Sequence, residues 1–151
     1  MILVSKWDLR FLSMASMVSG WSKDPSTKVG AVIVDDRRRV ISTGYNGFPQ
    51  GIVDNERRLN NRQTKLSCTL HAEENALAFA TQPVRGLTLY VTGHPCAHCA
   101  ATLIQHGIAR VVYSTKPDLE RRWFDDMCLA RDMFIEAGVV VQGSDDDGVI
   151  L

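Results

Sequence analysis

Three short pieces of the chain carry residues that could do chemistry together: His71-Ala72-Glu73, Pro95-Cys96 and Cys99. One imidazole and two thiolates make a soft donor set suited to Zn²⁺. Three protein donors leave the fourth tetrahedral position to water, which is the arrangement of a catalytic rather than a structural zinc. Glu73 stands two residues past His71, near enough to exchange protons with that water without binding the metal. The expectation is one zinc per subunit. A fourth protein donor would close the site and make it structural, and Cys68, His94, His98 and His106 are the candidates. A lone C-x-x-C also suits a redox pair, but that reading leaves His71 and Glu73 without a role.

The spacing fixes how these residues must be held. If Cys96 begins a helix, Cys99 lies one turn on and both sulfurs face the same way. Pro95 precedes it, where a missing N–H costs nothing. A helix N-terminus favours negative charge and so helps keep thiols ionised. His71 and Glu73 open a second helix, with Ser67 or Thr69 as its N-cap. The metal would lie between two helix N-termini.

At 151 residues, 45% of them hydrophobic, the chain reads as a single domain over 1–151 with enough apolar material for a full core. Its 17 basic residues balance 17 acidic ones, which argues against a polynucleotide binder. No stretch approaches the roughly 18 apolar residues of a membrane span. Residues 1–4 are apolar but too short for a signal peptide. Four cysteines, two of them expected metal donors, suit a reducing compartment: the cytoplasm, or the host cytoplasm for a phage-encoded chain. Cys68 and Cys128 are then expected as small buried hydrophobes.

The order of elements is α/β. Ser5-x-x-Asp8 is a capping box for a helix to about residue 19. Val29–Val34 reads as a strand buried on both faces. Asp35–Arg39 is a hairpin turn, its three arginines a solvated tip, and Val40–Tyr45 is the return strand. Residues 52–67 read as a polar loop. A helix follows over 70–81, then a strand over Leu87–Thr92, the cysteine helix to about His106 with Gly107 ending it, and a strand over Arg110–Ser114. Glu120–Ala137 is expected as one long helix, Val139–Gln142 as the last strand, and Asp145-Asp146-Asp147 as a solvated tail. Strand–helix–strand alternation in the second half implies parallel pairing.

The H-x-E…P-C-x-x-C pattern is the signature of zinc-dependent nucleobase deaminases. Over about residues 5–142 the chain resembles the cytidine deaminase superfamily, and within it the deoxycytidylate (dCMP) deaminases. The more specific likeness lies in Ser22-Lys23-Asp24-Pro25-Ser26-Thr27-Lys28-Val29-Gly30-Ala31 and in Gly44-Tyr45-Asn46-Gly47-Phe48-Pro49 with Gly51. The resemblance implies a three-layer α/β/α sandwich with a five-stranded mixed sheet in the order 2-1-3-4-5. It implies hydrolysis of dCMP to dUMP, feeding thymidylate synthesis, in a homo-oligomer, often a hexamer, regulated by dCTP and dTTP. Zinc would lower the pKa of its water so that hydroxide exists near neutral pH. Glu73 would take the water proton, hydroxide would attack C4, and Glu73 would pass protons to N3 and the leaving amine.

By the same resemblance Asn46 bonds the sugar, and the Ala72 N–H and the carbonyl of His94 read the pyrimidine edge. Ser26, Thr27 and Lys28 border the phosphate, and Phe48 and Tyr113 wall the pocket unless they are plain core. The His94 imidazole either covers the zinc or touches substrate. Arg57, Arg58, Arg62 and Lys65 form either a solvated charged loop or a contact to phosphate or effector. Residues 46–67 hold no Cys or His, which speaks against a second zinc. Trp7, Trp21 and Trp123 suit an oligomer interface or, more commonly, core packing. The alternatives are another deaminase of the superfamily (on 5-substituted dCMP, dCTP, a free nucleoside or base, or tRNA adenosine) and a catalytically silent zinc module, against which the intact Glu73 argues.

Overall fold

The computed structural model describes residues 4–145. The expectations for residues 1–3 and for Asp146 and Asp147 lie outside them. The elements run α1 (Lys6–Ser19), β1 (Gly30–Val34), β2 (Val40–Tyr45), α2 (Glu56–Asn60), α3 (Arg62–Cys68), α4 (Ala72–Phe79), β3 (Thr88–Val91), α5 (Ala97–Gln105), β4 (Arg110–Tyr113), α6 (Pro117–Arg122), α7 (Phe124–Glu136) and β5 (Val140–Gly143). The five strands form one mixed sheet in the order β2-β1-β3-β4-β5, as the resemblance implied. β1 pairs antiparallel with β2 and β3, and β4 lies parallel to β3 and β5.

Side-chain alternation along the strands builds two cores. Val32, Val34, Tyr90 and Val112 face α1 and meet Phe11, Leu12, Ala15 and Val18. Ala31, Ile33, Leu89, Val91 and Val111 face the other way, onto Ala72 and Ala76 of α4, Ala100 and Leu103 of α5, and Ala130 and Phe134 of α7. Helices therefore cover both faces, and the helices carrying the chemistry share one side. Among the described residues no helix is long and apolar enough to cross a membrane.

Four expectations need correction. Residues 52–67 are not a plain loop: Asn55 caps α2 by accepting from the Arg58 N–H, and Asn61 caps α3 by accepting from the Thr64 N–H. Each asparagine supplies the acceptor that a helix start lacks, so short helices form where polarity alone suggested coil. The long helix expected over Glu120–Ala137 is two helices, because it starts earlier, at Pro117, and breaks at Trp123 (φ −112°, ψ 29°). Trp21 and Trp123 are 54% and 55% exposed, so neither is core. Cys68 and Cys128 are half-buried rather than buried. The hairpin is as read: the Asp35 carboxylate accepts from the Arg37 and Arg39 N–H groups, and Arg38 takes the turn's left-handed position (φ 63°).

Asp8 does more than cap α1. Its carboxylate accepts from the Ser5 N–H, from the Tyr90 hydroxyl at 2.7 Å and from both Arg110 terminal nitrogens at 2.9 Å, tying α1 to β3 and β4. Burial would raise the Asp8 pKa, but the bonds from Arg110, Ser5 and Tyr90 outweigh it and hold it below the usual carboxylate range. The ionised form is thus favoured by folding. That stabilisation is complete above the unfolded value of about 4 and is lost as pH falls through the lower folded value. Asp8→Asn should cost about 2–3 kcal/mol at neutral pH, since Arg110 would keep a half-buried charge without its partner. It should also flatten the fall in stability below pH ~4. Urea denaturation across pH reads both.

Two glycines set how closely helices approach the sheet. A Cβ on Gly30 would lie 2.0 Å from the Ala15 carbonyl oxygen of α1. One on Gly44 would lie 2.3 Å from the Ala72 oxygen and 2.4 Å from the Ala76 nitrogen of α4. Gly44→Ala must therefore push α4 off β2. Overpacking of this kind costs about 1–3 kcal/mol. Because Ala72 sits between His71 and Glu73, metal affinity should fall too, which denaturation and zinc titration would measure side by side.

Candidate active site

The sheet delivers α4 and α5 side by side, and each helix opens with a metal-type donor. His71 is the N-cap of α4 and Cys96 the N-cap of α5, with Cys99 one turn on. The expected caps Ser67 and Thr69 are not used, because Glu74 reaches back to the His71 N–H at 3.0 Å and His71 ends the extended chain itself. The Cys96 sulfur accepts from the Cys99 N–H at 3.4 Å. Sulfur is thereby part of the helix cap, which places it at the positive end of the helix dipole.

The three donors converge. His71 Nδ1 lies 3.2 Å from Cys99 Sγ and 3.5 Å from Cys96 Sγ, and all three donor atoms fall within 4.8 Å of one another. Tetrahedral zinc, with bonds of roughly 2.0 Å to nitrogen and 2.3 Å to sulfur, sets neighbouring donors about 3.5–3.8 Å apart. The residues fit such an ion, and three of them leave one position open. Among the described residues this is the one such cluster. None of Cys68, His94, His98 or His106 joins it.

Protons shared within the trio show how strongly it favours a cation. The Cys99 thiol, together with the His71 imidazole, holds Cys96 down to about 4. The bond with Cys96, against the cost of burial, lifts His71 to about 9. Cys99 is pushed up by Cys96 and by burial. Beside them Glu73 is 5% exposed, and burial pushes it up to about 7. A carboxyl with that value can both take and give a proton near neutrality.

The other expected residues fall into four groups. Ala72 is fully buried at the first helical position, where an N–H has no partner within the helix. His94 approaches the Pro95 carbonyl through Nδ1 at 2.8 Å and sets its ring edge-on to Tyr113 at 4.7 Å. Tyr113 is 3% exposed and belongs to the core. Asn46 and Phe48 line a cleft of about 130 Å³ with Trp21, Lys23, Tyr45 and Thr69. The Asn46 amide is already engaged, accepting from the Val29 N–H and donating to the Thr27 carbonyl, both at 2.8 Å.

Ser26, Thr27 and Lys28 are exposed, but their donors are turned inward. The Ser26 and Thr27 N–H groups go to Asp24, and the Lys28 ammonium goes to the Ser22 carbonyl. Lys65 corrects the solvated-loop reading. It is 6% exposed and meets Asp24 Oδ1 and Ser26 Oγ, each at 3.0 Å, while Arg57, Arg58 and Arg62 are exposed. A basic residue in a polar stretch gives no sign of burial, so sequence reading missed this pair. It also missed the Glu74 cap, whose signal, a Glu three residues after the cap position, was present.

A profile of the cytidine and deoxycytidylate deaminase zinc-binding region matches residues 5–115. The chain belongs to this family. A protein of Aliivibrio fischeri, described as an uncharacterized deaminase in the luxG 3′ region, is 45% identical over 140 residues, covering 92% of this chain and 94% of that one. The human deoxycytidylate deaminase is 34% identical over 140 residues, covering 89% and 77%. The crystal structure of the cyanophage S-TIM5 dCMP deaminase in complex with dCMP and dUMP superposes with a TM-score of 0.70 at 26% identity, covering 89% of this chain and 94% of that one. The cluster of this family member is thus of the zinc-dependent deaminase type.

Metal uptake must displace the protons on His71 and Cys99, whereas Cys96 is already a thiolate above about pH 4. Protons compete with the cation, so affinity should fall as pH falls. Uptake at pH 7 should release about two protons per zinc. Calorimetric titration in buffers of different ionisation enthalpy counts them.

Proposed function

We propose that this chain hydrolyses dCMP to dUMP, with one zinc ion per subunit held by His71, Cys96 and Cys99. The observation that carries the reading is the convergence of the His71, Cys96 and Cys99 donor atoms within 4.8 Å of one another, with the Glu73 carboxyl buried two residues past His71. When bound, zinc supplies hydroxide near neutral pH by lowering the pKa of its water. Glu73 accepts the proton of the attacking water as oxygen joins C4. It delivers that proton to N3, then takes the remaining proton of the added oxygen as the C4 carbonyl forms and passes it to the departing amine as the C4–N bond breaks, so one carboxyl serves as base and then acid. The Ala72 N–H and the His94 carbonyl grip the pyrimidine edge, and the His94 imidazole, turned onto Pro95 and Tyr113, covers the metal side.

Asn46 meets the sugar with the amide hydrogen and the lone pair that its two loop bonds leave over. Ser26, Thr27 and Lys28 meet the phosphate through their hydroxyls and the remaining ammonium protons. Phe48 packs against the nucleotide from the cleft, and Tyr113 supports His94 from behind. The chain works as a homo-oligomer in the cytoplasm, a hexamer on the family pattern. Exposed Trp123 and Phe124 are available for contact between copies, and dCTP and dTTP act as effectors.

Glu73→Gln should keep its zinc but lose about 10²–10⁴-fold in kcat, the range of acid–base catalysis. Metal analysis and a dCMP assay on the same sample read both. Wild-type activity in that variant would sink the proton-shuttle role. A panel of dCMP, CMP, deoxycytidine, dCTP and 5-substituted dCMP, with and without dCTP or dTTP, should show preferential conversion of dCMP. Turnover of a nucleoside or triphosphate instead would overturn the phosphate contacts.

A further inference from the structure

Each of the two helices that carry the donor trio begins with a backbone N–H that a carboxylate meets. On α4, Glu74 Oε1 accepts from the N–H of His71, itself a donor residue, at 3.0 Å. On α5, Asp126 Oδ2 accepts from the N–H of Ala97, the residue between Cys96 and the rest of the helix, at 3.0 Å. Asp126 comes from α7, which packs along α5. The second Glu74 oxygen lies 3.9 Å from Nε2 of His98, the residue before Cys99. The start of α5 is therefore tied to α7, and the start of α4 to its own third residue.

This matters because α4 and α5 have only 8 and 9 residues. Helices this short are marginal by themselves and fray from their ends. Here the ends are where His71 and Cys96 stand. Metal–donor distances vary by only about 0.2 Å, so both cap peptides must be held: the His71 N–H by Glu74 of α4 itself, the Ala97 N–H by Asp126 of α7. The carboxylates also place negative charge beside the site, which favours a bound cation.

We propose that Glu74 and Asp126 are positioning residues for the metal, a pair of carboxylates that clamp the backbone at the two helix starts carrying the ligand trio. The proposal rests on the reading of that trio as a zinc site. Neither residue needs to touch substrate. Asp126 is exposed on α7 and outside both hydrophobic cores, so its role is not general packing.

The test is zinc affinity by competition with a chromophoric chelator, together with the visible spectrum of the Co²⁺-loaded chain. It compares wild type with Glu74→Ala, Glu74→Gln, Asp126→Ala and Asp126→Asn. The alanine variants should bind zinc about 10–100-fold more weakly and shift the cobalt bands. The amide variants keep an acceptor oxygen and should recover most of the affinity. Alanine variants that match wild type in affinity and spectrum would overturn the clamp alone. A wild-type chain that takes up neither metal would overturn the zinc reading and the clamp with it. Should an alanine variant unfold by circular dichroism, Asp126→Glu, which moves the acceptor by one methylene, is read instead: weakened zinc supports the clamp, and unchanged zinc overturns it.

Discussion

Everything at the site depends on two helices starting at the same point in space. α4 and α5 are short, and neither would hold its first residue still in water. The sheet removes that freedom by giving each helix a flat apolar surface, through Ala72 and Ala76 on one and Ala100 and Leu103 on the other. Small residues on these helices, and Gly44 on β2, let helix backbone come almost into contact with strand backbone. The approach is close enough to fix His71 and Cys96 relative to one another. That is why three donors from residues 71 to 99 meet within 4.8 Å.

Charge is managed by the same geometry. Helix starts turn partial positive charge toward the cluster, and the Cys99 N–H meets the Cys96 sulfur itself. This offsets the cost of burying thiolate and carboxylate together. What it leaves uncompensated appears at Glu73, where burial drives the pKa up to about 7. Elsewhere the fold keeps buried charges paired. Asp8 with Arg110 lies under α1, and Asp24 with Lys65 lies under the loop before β1. The second pair spends two backbone N–H groups of the Ser26–Thr27 turn on the chain's own carboxylate.

Much of the fold was legible because its signals are local. The Ser5–Asp8 capping box, the unbroken apolar run of β1, the Asp35 hairpin and the Gly107 stop each declare themselves within a few residues. The errors arose where a local signal was read too coarsely. Asn55 and Asn61 looked like loop polarity but are caps. Trp123 looked like part of a helix but marks its break, since Pro117 had already started α6 one turn earlier than periodicity suggested. Trp21, open by residue type to either an interface or the core, stands 54% exposed.

The sequence by itself determined which residues would gather: one imidazole and two thiols at helix starts, with a carboxyl two residues past the imidazole. Residue type and spacing at a helix N-terminus fix direction, and direction is a local property. Tertiary structure alone decided what holds them and how they titrate. The reach of Asp126 from α7 to Ala97, the burial of Lys65 on Asp24 and the elevated pKa of Glu73 all depend on distances across the chain and on water excluded by distant elements. No window of sequence contains those distances, because packing sets them between segments that are far apart along the backbone.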